Sequence, residues 1–287
     1  MTPELRLRIQ ALGPDLSMEM MRGTQAIFAE SFAGIDPAVQ IERDFQYGPD
    51  ARHRLDIFRT PDSANAPVLV FVHGGGFVMG DKRSADLPFY DNIGAFAAQS
   101  GCIGVTLTYR LAPGSTWPSG ADDMQAAIDW LRDNVAQHGG DPERIFLMGQ
   151  SAGAVHVASY VAFRQPRIAG ALLISCVYDV AAAHANPFHK SYYGEDESAY
   201  PAASTADGLI ASTVPLLCSV SEFDIADFQK QAAAFVGAWG AAKGSYPNML
   251  RLFGHNHLSP VLAIGSPGET LGPAILSFIR AQEAPHG

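Results

Sequence analysis

From residue 68 onward the chain alternates short, continuously apolar runs with helix-length amphipathic segments. The runs are 68–72, 103–108, 145–148, 171–175, 214–220 and 249–253. A strand with one wet face alternates apolar and polar residues, whereas an unbroken apolar run needs cover on both faces. The pattern predicts an α/β fold: a mostly parallel central sheet with helices on both faces. Upstream, residues 39–47 and 53–59 do alternate and are joined through Gly48-Pro49-Asp50, which predicts an antiparallel hairpin at a sheet edge.

Two stretches stand outside that rhythm. Near the N-terminus, Leu5, Ile9, Leu12, Met18, Met21, Ile27, Phe28 and Phe32 fall at helical spacing, broken at Gly13-Pro14. Between Asp179 and Thr213 there is no strand signal, and a long strandless interval inside a compact domain is usually a lid or binding loop. The expectation is a single domain over 1–287, with a small helical cap built from residues 1–38 and 180–212.

Charge and cysteine usage narrow the function classes. The net charge of −10, from 29 acidic and 19 basic residues, comes with no basic cluster to neutralise a phosphate backbone, so no nucleic-acid partner is expected. The apolar runs are strand-length, and Met1 to Arg8 lacks the apolar core of a secretory signal. A cytoplasmic protein without stable membrane association is therefore expected. Cys102, Cys176 and Cys218 each lie in an apolar segment without C-x-x-C spacing, which predicts buried, inert thiols. A homodimer stays open.

The chemistry is carried by Gly149-Gln150-Ser151-Ala152-Gly153, placed where the apolar run 144–148 gives way to a helix-like run, 152–163. A serine on so sharp a strand-to-helix turn presents its hydroxyl as a nucleophile, and the flanking glycines make room for the turn. A Gly-rich turn whose serine merely caps the helix is the bland alternative. Upstream, His73-Gly74-Gly75-Gly76-Phe77 follows the first buried strand, and its glycines let backbone N–H groups approach a developing oxyanion. Gly75, Gly76 and Ala152 are the natural donors. A phosphate loop is disfavoured, because neither G-x-G-x-x-G nor a Lys-Ser/Thr ending is present.

A serine nucleophile needs a base, and the base needs a carboxylate. Glu222 and Asp224 follow the run 214–220, and His255 and His257 follow 249–253, in the order Ser, acid, His. Asp224 is the better placed acid, and both histidines compete for the base. The H-x-H pair lacks a third ligand nearby, so no metal is expected. No cofactor is called for. His53, His138, His156, His184, His189 and His286 are read as surface or packing residues.

Together, His73-Gly74-Gly75-Gly76-Phe77, Tyr109-Arg110-Leu111-Ala112-Pro113 and Gly149-Gln150-Ser151-Ala152-Gly153 resemble the hormone-sensitive-lipase-like branch of the α/β-hydrolase esterases, over about 68–257. The resemblance implies the α/β-hydrolase fold, an oxyanion hole at Gly75, Gly76 and Ala152, and a triad of Ser151, Asp224 and His257. The last assignment follows the family's G-x-x-H pattern at Gly254 to His257. Two positions depart from the branch: Gln150 stands where Asp or Thr is usual, and Ala154 where Gly is usual. Residues 177–179, 192–194 and 222–224 look closer to small bacterial carboxylesterases and kynurenine-formamidase-like hydrolases.

The expected reaction is hydrolysis of a small-molecule ester, with short acyl or small aryl groups, through an acyl-enzyme. Phe77, Met79, Trp117, Tyr178, Tyr192 and Tyr193 are the expected pocket residues, with core packing as the competing role. Rival readings are an arylformamidase-type amide hydrolase, an interfacial lipase, and a ligand-binding protein without turnover.

Overall fold

The computed structural model describes residues 1–283, so His286 and the end of the expected domain lie outside the described residues. Eight strands form one sheet, β1 (Gln40–Gln46), β2 (Arg54–Arg59), β3 (Ala66–Val72), β4 (Ile103–Leu107), β5 (Gly140–Gln150), β6 (Gly170–Ile174), β7 (Leu216–Phe223) and β8 (Met249–Asn256), in the order β1-β2-β4-β3-β5-β6-β7-β8. The six strands from β4 to β8 in that order run parallel, while β1 and β2 are antiparallel at one edge. The hairpin turn is closed by the Asp50 carboxylate, which accepts from the Arg52 N–H at 2.8 Å.

The continuous apolar runs feed two separate cores. In β3, Val68, Val70 and Val72 face one layer while Leu69 and Phe71 face the other; β5 divides Ile145 and Leu147 from Phe146 and Met148 in the same way. The first layer is covered by α4 (Ser119–Asn134), α5 (Ala152–Arg164), α7 (Ala206–Ala211) and α8 (Ala226–Lys243), the second by α1 (Pro3–Ala11), α2 (Met18–Ser31), α3 (Asp91–Gln99) and α10 (Leu271–Glu283). Leu147 is fully buried in the first layer, and truncating it to Ala would cost about 2–5 kcal/mol through lost transfer energy and an unfilled cavity.

The N-terminal segment lies on the second layer. Helix α1 packs along β8 and α2 on α9 (Ser259–Leu262), the short helix that follows the last strand. The strandless interval contains α6 (Pro187–Tyr193), a 3₁₀ turn at Glu197–Ala203, and α7, which seals the far side of α5. Among the described residues no helix is long and apolar enough to cross a membrane.

Candidate active site

Parallel strands deliver their carboxyl ends to one rim, and the candidate residues sit there. Ser151 follows β5 directly, with φ +55° and ψ −122°, a backbone conformation that costs a non-glycine residue about 1–3 kcal/mol. Its N–H donates to the Ile174 carbonyl at 2.9 Å, tying the turn to the end of β6. The flanking glycines are sterically required: a Cβ on Gly149 would lie 2.3 Å from the Gly153 carbonyl oxygen, and one on Gly153 would lie 2.2 Å from that of Val72. Ala152 opens α5, so its N–H is among the four that no helical carbonyl satisfies, at the positive end of the helix dipole.

The glycine loop is pinned from beneath. His73 is fully buried, hydrogen-bonds the Gly74 carbonyl through Nδ1 at 2.6 Å, and stacks on Tyr109 with ring centroids 4.4 Å apart. Burial pushes His73 down to about 4, so the ring is neutral at neutral pH and serves the loop. The Tyr109 hydroxyl donates to the His73 carbonyl at 2.9 Å, and the Ala112 N–H to the Phe77 carbonyl at 2.9 Å. Arg110 is anchored to α4 by Asp123, 2.6 Å away. Gly75 adopts φ +131°, and a Cβ there would lie 2.0 Å from the Met79 carbonyl oxygen.

Asp224 and His257 meet at the ends of β7 and β8. His257 Nδ1 lies 2.7 Å from Asp224 Oδ1, and both side chains are buried. Asp224 also accepts from the Ser175 hydroxyl at 2.5 Å, the Ser221 N–H at 3.2 Å and the Ile225 N–H at 3.1 Å. Burial would raise this carboxyl, yet the attraction of His257 and the donated hydrogen bonds prevail and hold it below the usual aspartate range. His257 Nε2 is buried and, among the described residues, has no hydrogen-bond partner, that of Ser151 included. Catalytic hydrogen bonds of ligand-free enzymes often tighten only when substrate binds.

The alternatives left open by the sequence, Glu222 and His255, have other partners. Glu222 turns away from this rim, pairing with Arg6 of α1 at 2.7 Å and accepting from the Gly254 N–H at 2.7 Å. His255 is fully buried, with Ser259 Oγ 2.9 Å from Nδ1 and Thr270 Oγ1 2.7 Å from Nε2. Among the described residues no three His, Cys, Asp or Glu side chains could hold a metal ion.

The expected pocket residues fare differently. Phe77 and Tyr192 stack at 4.5 Å, and Tyr178 stacks on Phe235 of α8 at 4.2 Å, all buried in the first core layer. These three side chains pack within the core cluster, the competing role that the sequence left open for them. Trp117 and Tyr193 are partly buried against the same layer, and Met79, 51% exposed, lies at the surface of the glycine loop. Sequence reasoning missed Phe188, whose ring lies over the loop, 3.1 Å from where a Cβ on Gly76 would stand. Ser175 and the contacts of Gln150 were missed as well. A cavity of about 400 Å³ opens at the opposite end of the sheet, beside Asn65, Ala66 and Ile279, and contains none of these groups.

A family described as alpha/beta hydrolase fold matches residues 69–244, more than half of the chain. The chain belongs to the α/β-hydrolase fold family. Within that family it is 41% identical over 123 residues to esterase LipQ of Mycobacterium tuberculosis, covering 42% of this chain and 28% of that protein. It is 36% identical over 127 residues to isoprenylcysteine alpha-carbonyl methylesterase ICME of Arabidopsis thaliana, covering 44% and 28%. The chain thus spans less than a third of the length of these curated relatives. Among solved structures, a phosphonate-inhibited esterase B from Lactobacillus rhamnosis superposes with a TM-score of 0.75 at 17% identity, over 98% of this chain and 96% of that one. An esterase of the bacterial hormone-sensitive lipase family gives 0.68 at 24% identity, over 100% and 99%. At such identities these two likenesses establish the α/β-hydrolase fold.

Proposed function

We propose that the chain is a serine carboxylic-ester hydrolase that passes the acyl group of small esters to water. One observation carries the reading: a buried Asp224–His257 pair with a free Nε2 shares the sheet rim with a serine held in a strained turn. In this reading Ser151 Oγ attacks the ester carbonyl while His257 Nε2 takes its proton, and Asp224 holds the imidazolium. The tetrahedral oxyanion is received by the N–H groups of Gly75, Gly76 and Ala152, each worth about 3 kcal/mol. Collapse expels the alcohol, which leaves with the proton from His257. Water then attacks the acyl-serine with His257 again as base, giving the carboxylic acid and restoring the hydroxyl.

The same reading takes residues 1–38 and 180–212 as the cap of a single domain. Phe188 over Gly76, with Met79 nearby in the chain, favours short acyl groups, because a long chain must displace the Phe188 ring. Three buried thiols, two of them pushed up by burial, fit a reducing cytoplasmic setting.

A fluorophosphonate probe followed by peptide mapping tests the nucleophile. Label on Ser151, lost in Ser151→Ala together with turnover of p-nitrophenyl acetate, is the expected result. An unlabelled parent protein would leave a ligand-binding member of the fold. Faster cleavage of an N-formyl anilide than of any short p-nitrophenyl ester would replace the ester reading with an amide one.

A further inference from the structure

Gln150, the last residue of β5, has a fully buried side chain between two loops of the rim. Its Nε2 donates to the His257 backbone carbonyl at 3.0 Å, across 107 residues of sequence. Its Oε1 is buried and meets no hydrogen-bond donor among the described residues. That oxygen is turned toward the glycine loop: a Cβ on Gly74 would stand 2.4 Å from it and 3.2 Å from the Ser151 Cβ. Turning the amide over would set Oε1 against the His257 carbonyl, two acceptors face to face, so the observed orientation is the one the contact dictates.

The geometry points to Gln150 as a positioning residue that fixes the His257 backbone, and through it the imidazole, relative to Ser151 and the glycine loop. The inference rests on the hydrolase reading above. His257 sits in the short connection between Asn256, which ends β8, and Ser259, which opens α9. Asp224 holds the ring at Nδ1 and Phe228 packs against it with ring centroids 4.5 Å apart, contacts that bear on the imidazole and not on the backbone that carries it. The amide N–H supplies the attachment on the backbone. Side-chain and backbone contacts together define where Nε2 faces. The absence of a side chain at Gly74 follows from the same contact, since any Cβ there would drive the amide away from His257.

Two variants test this. Gln150→Met keeps length and burial but removes the N–H, and Gln150→Glu keeps shape but offers an acceptor at neutral pH where the parent donates. Expected for Met is a Tm within a few degrees of the parent, KM for p-nitrophenyl acetate within about twofold, and kcat lower by about 10- to 100-fold, the loss associated with misplacing a reacting group by about 1 Å. The downfield proton NMR signal of the His257 Nδ1–H, shared with Asp224, should shift or broaden in both variants. A residue that only packs would move Tm and leave kcat and that signal alone. Parent kcat and an unmoved signal in Gln150→Met would overturn the assignment. If the parent is not labelled by a fluorophosphonate, the hydrolase reading fails, yet the NMR signal still decides whether Gln150 holds His257.

Discussion

The Ser175 hydroxyl donates to Asp224 Oδ2 at 2.5 Å, from a residue whose own backbone is left-handed, at φ +49°. Strain at the end of β6 is thus coupled to the carboxylate that holds His257. Removing the hydroxyl leaves Oδ2 with the Ser221 N–H alone, at 3.2 Å. Hydrogen bonds to charged groups are worth about 1.5–3 kcal/mol, so Ser175→Ala should lower kcat by roughly tenfold or more. Ser175→Gly loses the same hydroxyl but relieves the left-handed backbone, and should show the same kcat with a higher Tm than the Ala variant. Parent activity in both would remove Ser175 from the site.

Ser151 carries the larger strain, at φ +55° and ψ −122°. Glycine tolerates that region, so Ser151→Gly should be inactive and more stable than the parent by about 1–3 kcal/mol, read by urea unfolding. A less stable Gly variant would mean that the serine side chain supports the turn rather than pays for it.

Asp224 and Glu222 can be told apart by neutral substitutions. Asp224→Asn keeps the shape but reverses what Oδ1 offers to His257 Nδ1–H, and in serine triads such a change costs about 10⁴-fold in kcat. Glu222→Gln disturbs only the contacts with Arg6 and the Gly254 N–H, so its kcat should match the parent within experimental error. A severe loss in the Gln variant together with an active Asn variant would exchange the two roles.

That pair shows where the sequence stops being readable. The sheet was legible because strands covered on both faces need runs such as 68–72 and 145–148, and the serine turn because Gly149 and Gly153 leave a local trace. Glu222 is engaged by Arg6, more than two hundred residues earlier, and His255 by hydroxyls on Ser259 and Thr270, contacts that no local pattern announces. Ser175 reaches Asp224 from the adjacent strand end, and Gln150 reaches His257 from three strands away, contacts for which no spacing rule exists. Phe188 lies in the interval without strands, where apolar residues have no periodicity to sort the core from the site. The aromatic residues around Phe77 were ambiguous for the same reason: stacking on Tyr192 and lining a pocket call for identical side chains.

Four buried histidines weigh on the pH dependence of stability. Burial pushes His73 to about 4, His156 to about 3 and His255 to about 4, and lowers His189 as well, against about 6.5 in an unfolded chain. Between those limits the unfolded state binds protons that the folded state does not. Stability therefore rises with pH through this window, and the loss on acidification levels off below the folded-state values. Each group contributes at most about 1.4 kcal/mol per pH unit. Asp224 has the opposite displacement for an acid: its contribution is present above the unfolded aspartate value and disappears as pH falls through its lowered one, so it adds to the loss only at the acidic end. Urea midpoints should hold steady from pH 8 to 7, then fall steeply from about pH 6.5 to 4. His255→Gln retains hydrogen-bonding capacity toward Ser259 and Thr270 without a titrating group, and should flatten that fall by about a quarter if the four histidines weigh equally. A midpoint independent of pH across that window would mean that these rings take up protons in the folded protein as readily as in the unfolded chain.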